Sequence, residues 1–117
     1  MPDTTFRSGD PVMIQYTPTG GNVAVGQVVL YGNTAGLTTI IAHSAITNNT
    51  LGAMAAGGAI YDAINLNNAA NGAKVWWDDS AKKVTTTSTN NALFGFIASS
   101  GGGGANSTAK VLHVPYV

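Results

Sequence analysis

The chain has 117 residues, enough for one compact domain and too few for two with separate cores. Five basic and five acidic side chains cancel, and charged residues make up 9% of the chain where an average soluble domain carries about 25%. Phosphate recognition needs a clustered basic surface, and Arg7, Lys74, Lys82, Lys83 and Lys110 are scattered apart from one adjacent pair, which argues against a nucleic-acid partner.

Residues 1–8 contain Pro2, Thr4, Thr5, Phe6 and Arg7 without any alternation of apolar and polar positions, which predicts a short N-terminal arm ahead of a β domain over 9–117. Phe6 leaves two readings open. It anchors the arm on a neighbouring subunit, or it caps the domain's own core beside Val12. The start has no basic stretch followed by an apolar run, so no secretory signal is expected and the protein should be made in the cytoplasm. No run of 18 apolar residues is available to span a bilayer, so no membrane association is expected.

Gly, Thr, Asn and Ser are abundant and Glu is absent, a composition that favours strands and turns over helices. Period-two runs bounded by Gly, Pro or Asn predict strands at 12–16, 27–31 and 37–41. Residues 51–56, with Ala-Met-Ala-Ala, read as one short helical stretch cut off by Gly57 and Gly58. A softer apolar run at 59–64 precedes turns over 65–72. The second half is clearer, with strands at 74–78 and 83–87 joined by an Asp79–Lys82 turn, then strands at 93–98 and 110–114. Gly9, Gly26 and Gly72 each stand three residues before a Val at a strand mouth, the spacing of a positive-φ turn followed by a buried β-branched side chain. Strands about every ten residues with turn chemistry between them predict an all-β fold, a single small barrel or sandwich-like domain.

Candidate chemistry is sparse. There is no Cys, which removes disulfides and thiolate catalysis. His43 and His113 lack a third ligand for a closed zinc site; His113 reads as a partly buried or rim residue of a strand and His43 as the start of a polar loop. Asp78-Asp79 reads as a hairpin turn before it reads as a cation site. The Gly101–Gly104 run lacks the following Lys of a phosphate loop, and no nucleophile elbow is present. The sequons at Asn48 and Asn106 are what chance supplies in an Asn/Thr-rich chain. No cofactor, metal or catalytic residue is expected.

Trp76 and Trp77 are the most conspicuous aromatics. Adjacent strand residues point to opposite faces, so one ring is core and the other meets something outside. A sugar-stacking platform and a subunit interface both suit an outward Trp, and the low charge favours the interface.

The stretch Gly72-Ala73-Lys74-Val75-Trp76-Trp77-Asp78-Asp79-Ser80-Ala81-Lys82-Lys83-Val84-Thr85-Thr86-Thr87, followed by Asn91-Ala92-Leu93-Phe94-Gly95-Phe96 and a Gly-rich loop into a last strand, resembles the small capsid cement, or decoration, proteins of tailed bacteriophages. The opening Phe6-Arg7-Ser8-Gly9-Asp10 and the segment Val25–Gly32 are similar to the same family, so the resemblance covers nearly the whole chain. The doubled Trp76-Trp77, the Ala-rich middle and the tail from His113 depart from its pattern. The resemblance implies a compact β domain, trimeric, that binds the major capsid protein on the outside of an assembled head. It implies no catalytic residues. Partner contacts are accordingly expected at Pro2, Thr4, Thr5, Phe6, Arg7, Trp76 and Trp77, with a carbohydrate-binding or adhesin-like module as the competing reading.

Overall fold

A computed structural model describes residues 3–33, 36–100 and 103–115. Ten strands run in chain order: β1 (Thr5–Gly9), β2 (Met13–Tyr16), β3 (Val28–Asn33), β4 (Gly36–Ala42), β5 (Gly52–Ala55), β6 (Ala59–Asn65), β7 (Lys74–Asp78), β8 (Lys83–Thr85), β9 (Ala92–Ser99) and β10 (Ser107–His113). No helix occurs among the described residues. The strands form two antiparallel sheets, so the all-β, sandwich-like expectation holds.

The larger sheet has the order β1-β6-β10-β9-β7-β8, and a parallel contact of Asn65 with Val84 brings β8 back against β6. Its inner face carries Tyr61, Ala63, Val75, Trp77, Val84, Phe94, Ile97, Ala109 and Val111, which pack with Val28, Ile41 and Ala55 of the smaller sheet into the main core. The smaller sheet has the order β2-β5-β4-β3. Its other face carries Ile40, Ala42 and Met54, covered by Val23 and Ile46, which bridge two loops through paired backbone hydrogen bonds of 2.8 and 2.9 Å.

The predicted turn chemistry is in place. Gly9, Gly26 and Gly72 have φ of 109°, 82° and 82°, the left-handed region that a side chain resists. Gly95 matters for a different reason. A Cβ there would lie 1.8 Å from the carbonyl oxygen of Leu112, so the tight β9–β10 approach requires glycine.

Three expectations are corrected. Residues 51–56 are not helical. Gly52–Ala55 form β5, paired with both β2 and β4, and Met54 and Ala55 are buried in opposite cores, the mark of period two. Alanine's helix propensity is overridden because a strand buries both of these side chains while a helix at this point would bury neither sheet's edge.

Residues 5–8, expected to form part of an arm, lie in β1, which pairs antiparallel with β6 through a bulge between Phe6 and Ser8. The attachment is by backbone and polar groups: Thr4 donates its N–H and its hydroxyl to the Gly26 carbonyl at 3.0 and 2.8 Å, and the Asp3 carboxylate accepts the Val28 N–H at 3.1 Å. An edge strand held this way leaves no alternating pattern to read.

His113, expected to be partly buried or on the rim, is a fully buried core residue.

Candidate interaction surface

The alternation of core residues along the larger sheet puts the intervening side chains on its outer face. There Trp76 of β7 stands opposite Leu93 of β9, Phe96 opposite Leu112 of β10, and Leu112 opposite Ile60 of β6. All five are half-buried, which is what mutual contact along a sheet face without a covering layer produces. The result is an apolar strip across four adjacent strands. Its composition, two aromatics and three aliphatics, is that of the core of a protein interface.

The carboxylate beside the strip is paired, while the exposed Lys74 stands opposite Phe96 with no ion-pair partner among the described residues. Asp62, its side chain only 8% exposed, accepts from Arg7 Nε at 2.5 Å and Lys110 Nζ at 3.2 Å, stitching β1, β6 and β10 together on the same face. Both cations stay half-exposed, so the pairs themselves add little stability. Their effect is to let an apolar partner approach without meeting an unpaired carboxylate.

The expected contact residues separate clearly. Trp77 is fully buried and its indole N–H donates to Asp79 at 3.1 Å, and Thr4 is 1% exposed, so neither side chain can meet a partner in this fold. Trp76 faces outward. Thr5 and Arg7 lie beside the strip on β1, opposite or bonded to Asp62. Phe6 points to the other side, its ring 4.7 Å from that of His43 and 5.9 Å from that of Tyr61, and remains 43% exposed. Pro2 lies outside the described residues. Leu93, Phe96, Leu112 and Ile60 were missed. Their signal was present as apolar residues at both parities of strands β6 and β9, which requires two apolar faces.

The residues that could carry chemistry are engaged structurally. Asp78 accepts from the Ser80 hydroxyl at 2.8 Å and from the Ser80 and Ala81 N–H groups, and the Ser80 and Ala81 bonds hold its carboxyl below the usual range. Asp79 accepts from Trp77 and from Lys82, so the carboxylate pair builds the β7–β8 turn as the sequence indicated. The polar hollow beside this turn, about 440 Å³ and lined by Asn67, Asp78, Thr85 and Asn91 among others, is walled by groups that bond to one another. Among the described residues no three His, Cys, Asp or Glu gather as metal ligands.

His43 shares a 2.6 Å hydrogen bond with the Tyr61 hydroxyl, and burial lowers the imidazole and raises the phenol. His113 Nε2 lies 3.0 Å from the Thr39 carbonyl and 2.9 Å from its hydroxyl, a geometry that places the proton on Nε2, while buried Nδ1 has no partner. Burial pulls its pKa down to about 4, against the opposing pull of the Thr39 carbonyl. A neutral His113 therefore pins β10 to β4.

No curated protein and no solved structure matches the chain. The family model for phage cement proteins matches residues 6–113, all ten strands included except the first residue of β1. A match of that extent, on an all-β domain whose histidines and paired carboxylates serve the fold and whose outer sheet face carries an apolar strip, assigns the chain: it belongs to the phage cement proteins, structural components of the phage capsid.

Proposed function

We propose that the domain binds the outer surface of an assembled phage head and strengthens it by bridging neighbouring major capsid subunits. The strip of Trp76, Leu93, Phe96, Leu112 and Ile60 is the observation that carries this reading beyond family membership, because it offers a partner an uncovered apolar surface whose neighbouring carboxylate, Asp62, is already paired. Thr5 and Arg7 extend the contact along β1, and the exposed part of Phe6 offers a separate contact on the other side of that strand. The active form is a homotrimer. A trimer turns each additional capsid contact into an intramolecular event at high effective concentration, so weak individual sites suffice. Synthesis is cytoplasmic, the protein performs no catalysis, and neither nucleic acid nor membrane takes part in binding.

The test is co-sedimentation with empty heads, alongside binding to a glycan array. Saturable binding to heads that falls at least tenfold for Trp76→Ala, with no sugar binding, is the expected result. Sugar binding without head binding would replace this reading with that of a carbohydrate module.

A further inference from the structure

Sheet edges present unpaired backbone groups that recruit other strands unless something blunts them. Three of the candidates in this fold are blunted. β1 carries a bulge and the charge of Arg7, β8 has three residues and is paired on both sides, and β2 has four residues between Pro11 and Pro18. β3 is six residues long, uncharged, free of proline and in unbroken register with β4 along its whole length.

The hydrogen-bond parity of β3 identifies its free groups. Ala42 donates to the Gln27 carbonyl, so positions 27, 29, 31 and 33 face β4 and positions 28, 30 and 32 face outward. The Val28 N–H is already taken by Asp3, in agreement with that parity. Among the described residues, Leu30 and Gly32 remain with an outward donor and acceptor each, and Val28 with its carbonyl. Their side chains do not obstruct approach: Gly32, at φ 125°, has no Cβ, and Leu30 is 36% exposed.

We propose that β3 pairs antiparallel with β3 of a second copy about a two-fold axis at Tyr31. Only this register sets Leu30 opposite Gly32 twice, uses the outward donor and acceptor of both residues and leaves the Asp3–Val28 bond intact. The strand is neutral, so like meets like without repulsion. Tyr31, 40% exposed and edge-on to Tyr16 at 5.8 Å, then meets its own copy directly across the axis. The two four-stranded sheets become one. This contact does not rest on head binding and uses a different surface from the apolar strip; where the proposed trimer uses neither β3 edge, it would join two of them.

The test uses the full chain, which contains no cysteine to confuse it. Opposed residues at a non-hydrogen-bonded position have Cα atoms about 4.5 Å apart, within disulfide reach. Under mild oxidation at low micromolar concentration, Tyr31→Cys should yield disulfide-linked dimers at least tenfold faster than Leu51→Cys, whose parent residue is 62% exposed and lies outside β3. Wild type should sediment as a dimer, or a hexamer where the trimer also forms. Leu30→Pro removes one outward N–H and should halve that mass. Equal cross-linking of the two cysteine variants, or an unpaired monomer or trimer at the highest soluble concentration of wild type, would overturn the proposal. Should Leu30→Pro fail to fold by circular dichroism, the cross-linking comparison decides.

Discussion

The two sheets solve the same problem in different ways. The six-stranded sheet curls until β8 meets β6, hides its inner side chains completely and leaves an apolar outer face. The four-stranded sheet has both faces covered, one by the larger sheet and the other by the Val23–Ile46 bridge, and leaves an edge open instead. A fold stabilised by packing alone, without disulfides, thus keeps its stability inside the larger sheet and its capacity for association on one face and one edge. Substitutions in the two kinds of place should have separable effects.

The sharpest separation lies between adjacent residues. Trp77→Ala should cost ~4 kcal/mol by emptying the space beside Phe94, whereas Trp76→Ala should cost below ~1 kcal/mol in the isolated protein and act on head binding, both read by denaturant unfolding. Comparable losses at both positions would erase the distinction between faces.

Gly95→Ala should cost ~3 kcal/mol, because its Cβ must push the β10 backbone away or break the β9–β10 ladder. Unchanged stability would mean the two strands do not approach as closely as described.

Acid should weaken the joint between the sheets. His113 titrates near 6.5 when unfolded and at about 4 when folded, so below pH 6.5 the unfolded chain binds a proton that the folded one refuses. Stability contributed by neutral His113 is full above that value and is lost as pH falls toward 4, on the order of 3 kcal/mol in all. His43 shifts in the same direction. Unfolding midpoints measured from pH 7 to 4 should decline for wild type and decline less for His113→Gln, at the expense of lower stability at pH 7.

The smallest of these effects concerns β1. Phe6→Ala should cost ~1 kcal/mol, since the ring is only partly covered by His43 and Tyr61, and removal of residues 1–6 about twice that through loss of the Asp3 and Thr4 bonds. A thermal melt unaffected by the truncation would restore residues 1–8 as an arm.

How much of this was legible follows from which signals are local. Strand positions, the Asp78–Lys82 turn and the positive-φ glycines were readable because each depends on a few consecutive residues and their backbone preferences. Family membership was readable for a related reason, a run of specific residues from Gly72 to Thr87. The opposite facing of the two tryptophans was also determined by the sequence, since strand geometry alone requires it.

Which tryptophan is core was decided only by the tertiary structure, because that depends on the side of β7 against which the second sheet packs. The same holds for β1, attached through hydrogen bonds to residues more than 20 positions away, and for β5, whose strand conformation exists only between β2 and β4. His113 belongs with them, since its burial depends on Thr39, 74 residues distant. Local chemistry sets what each segment can form; long-range packing selects which face, edge and side chain remain available.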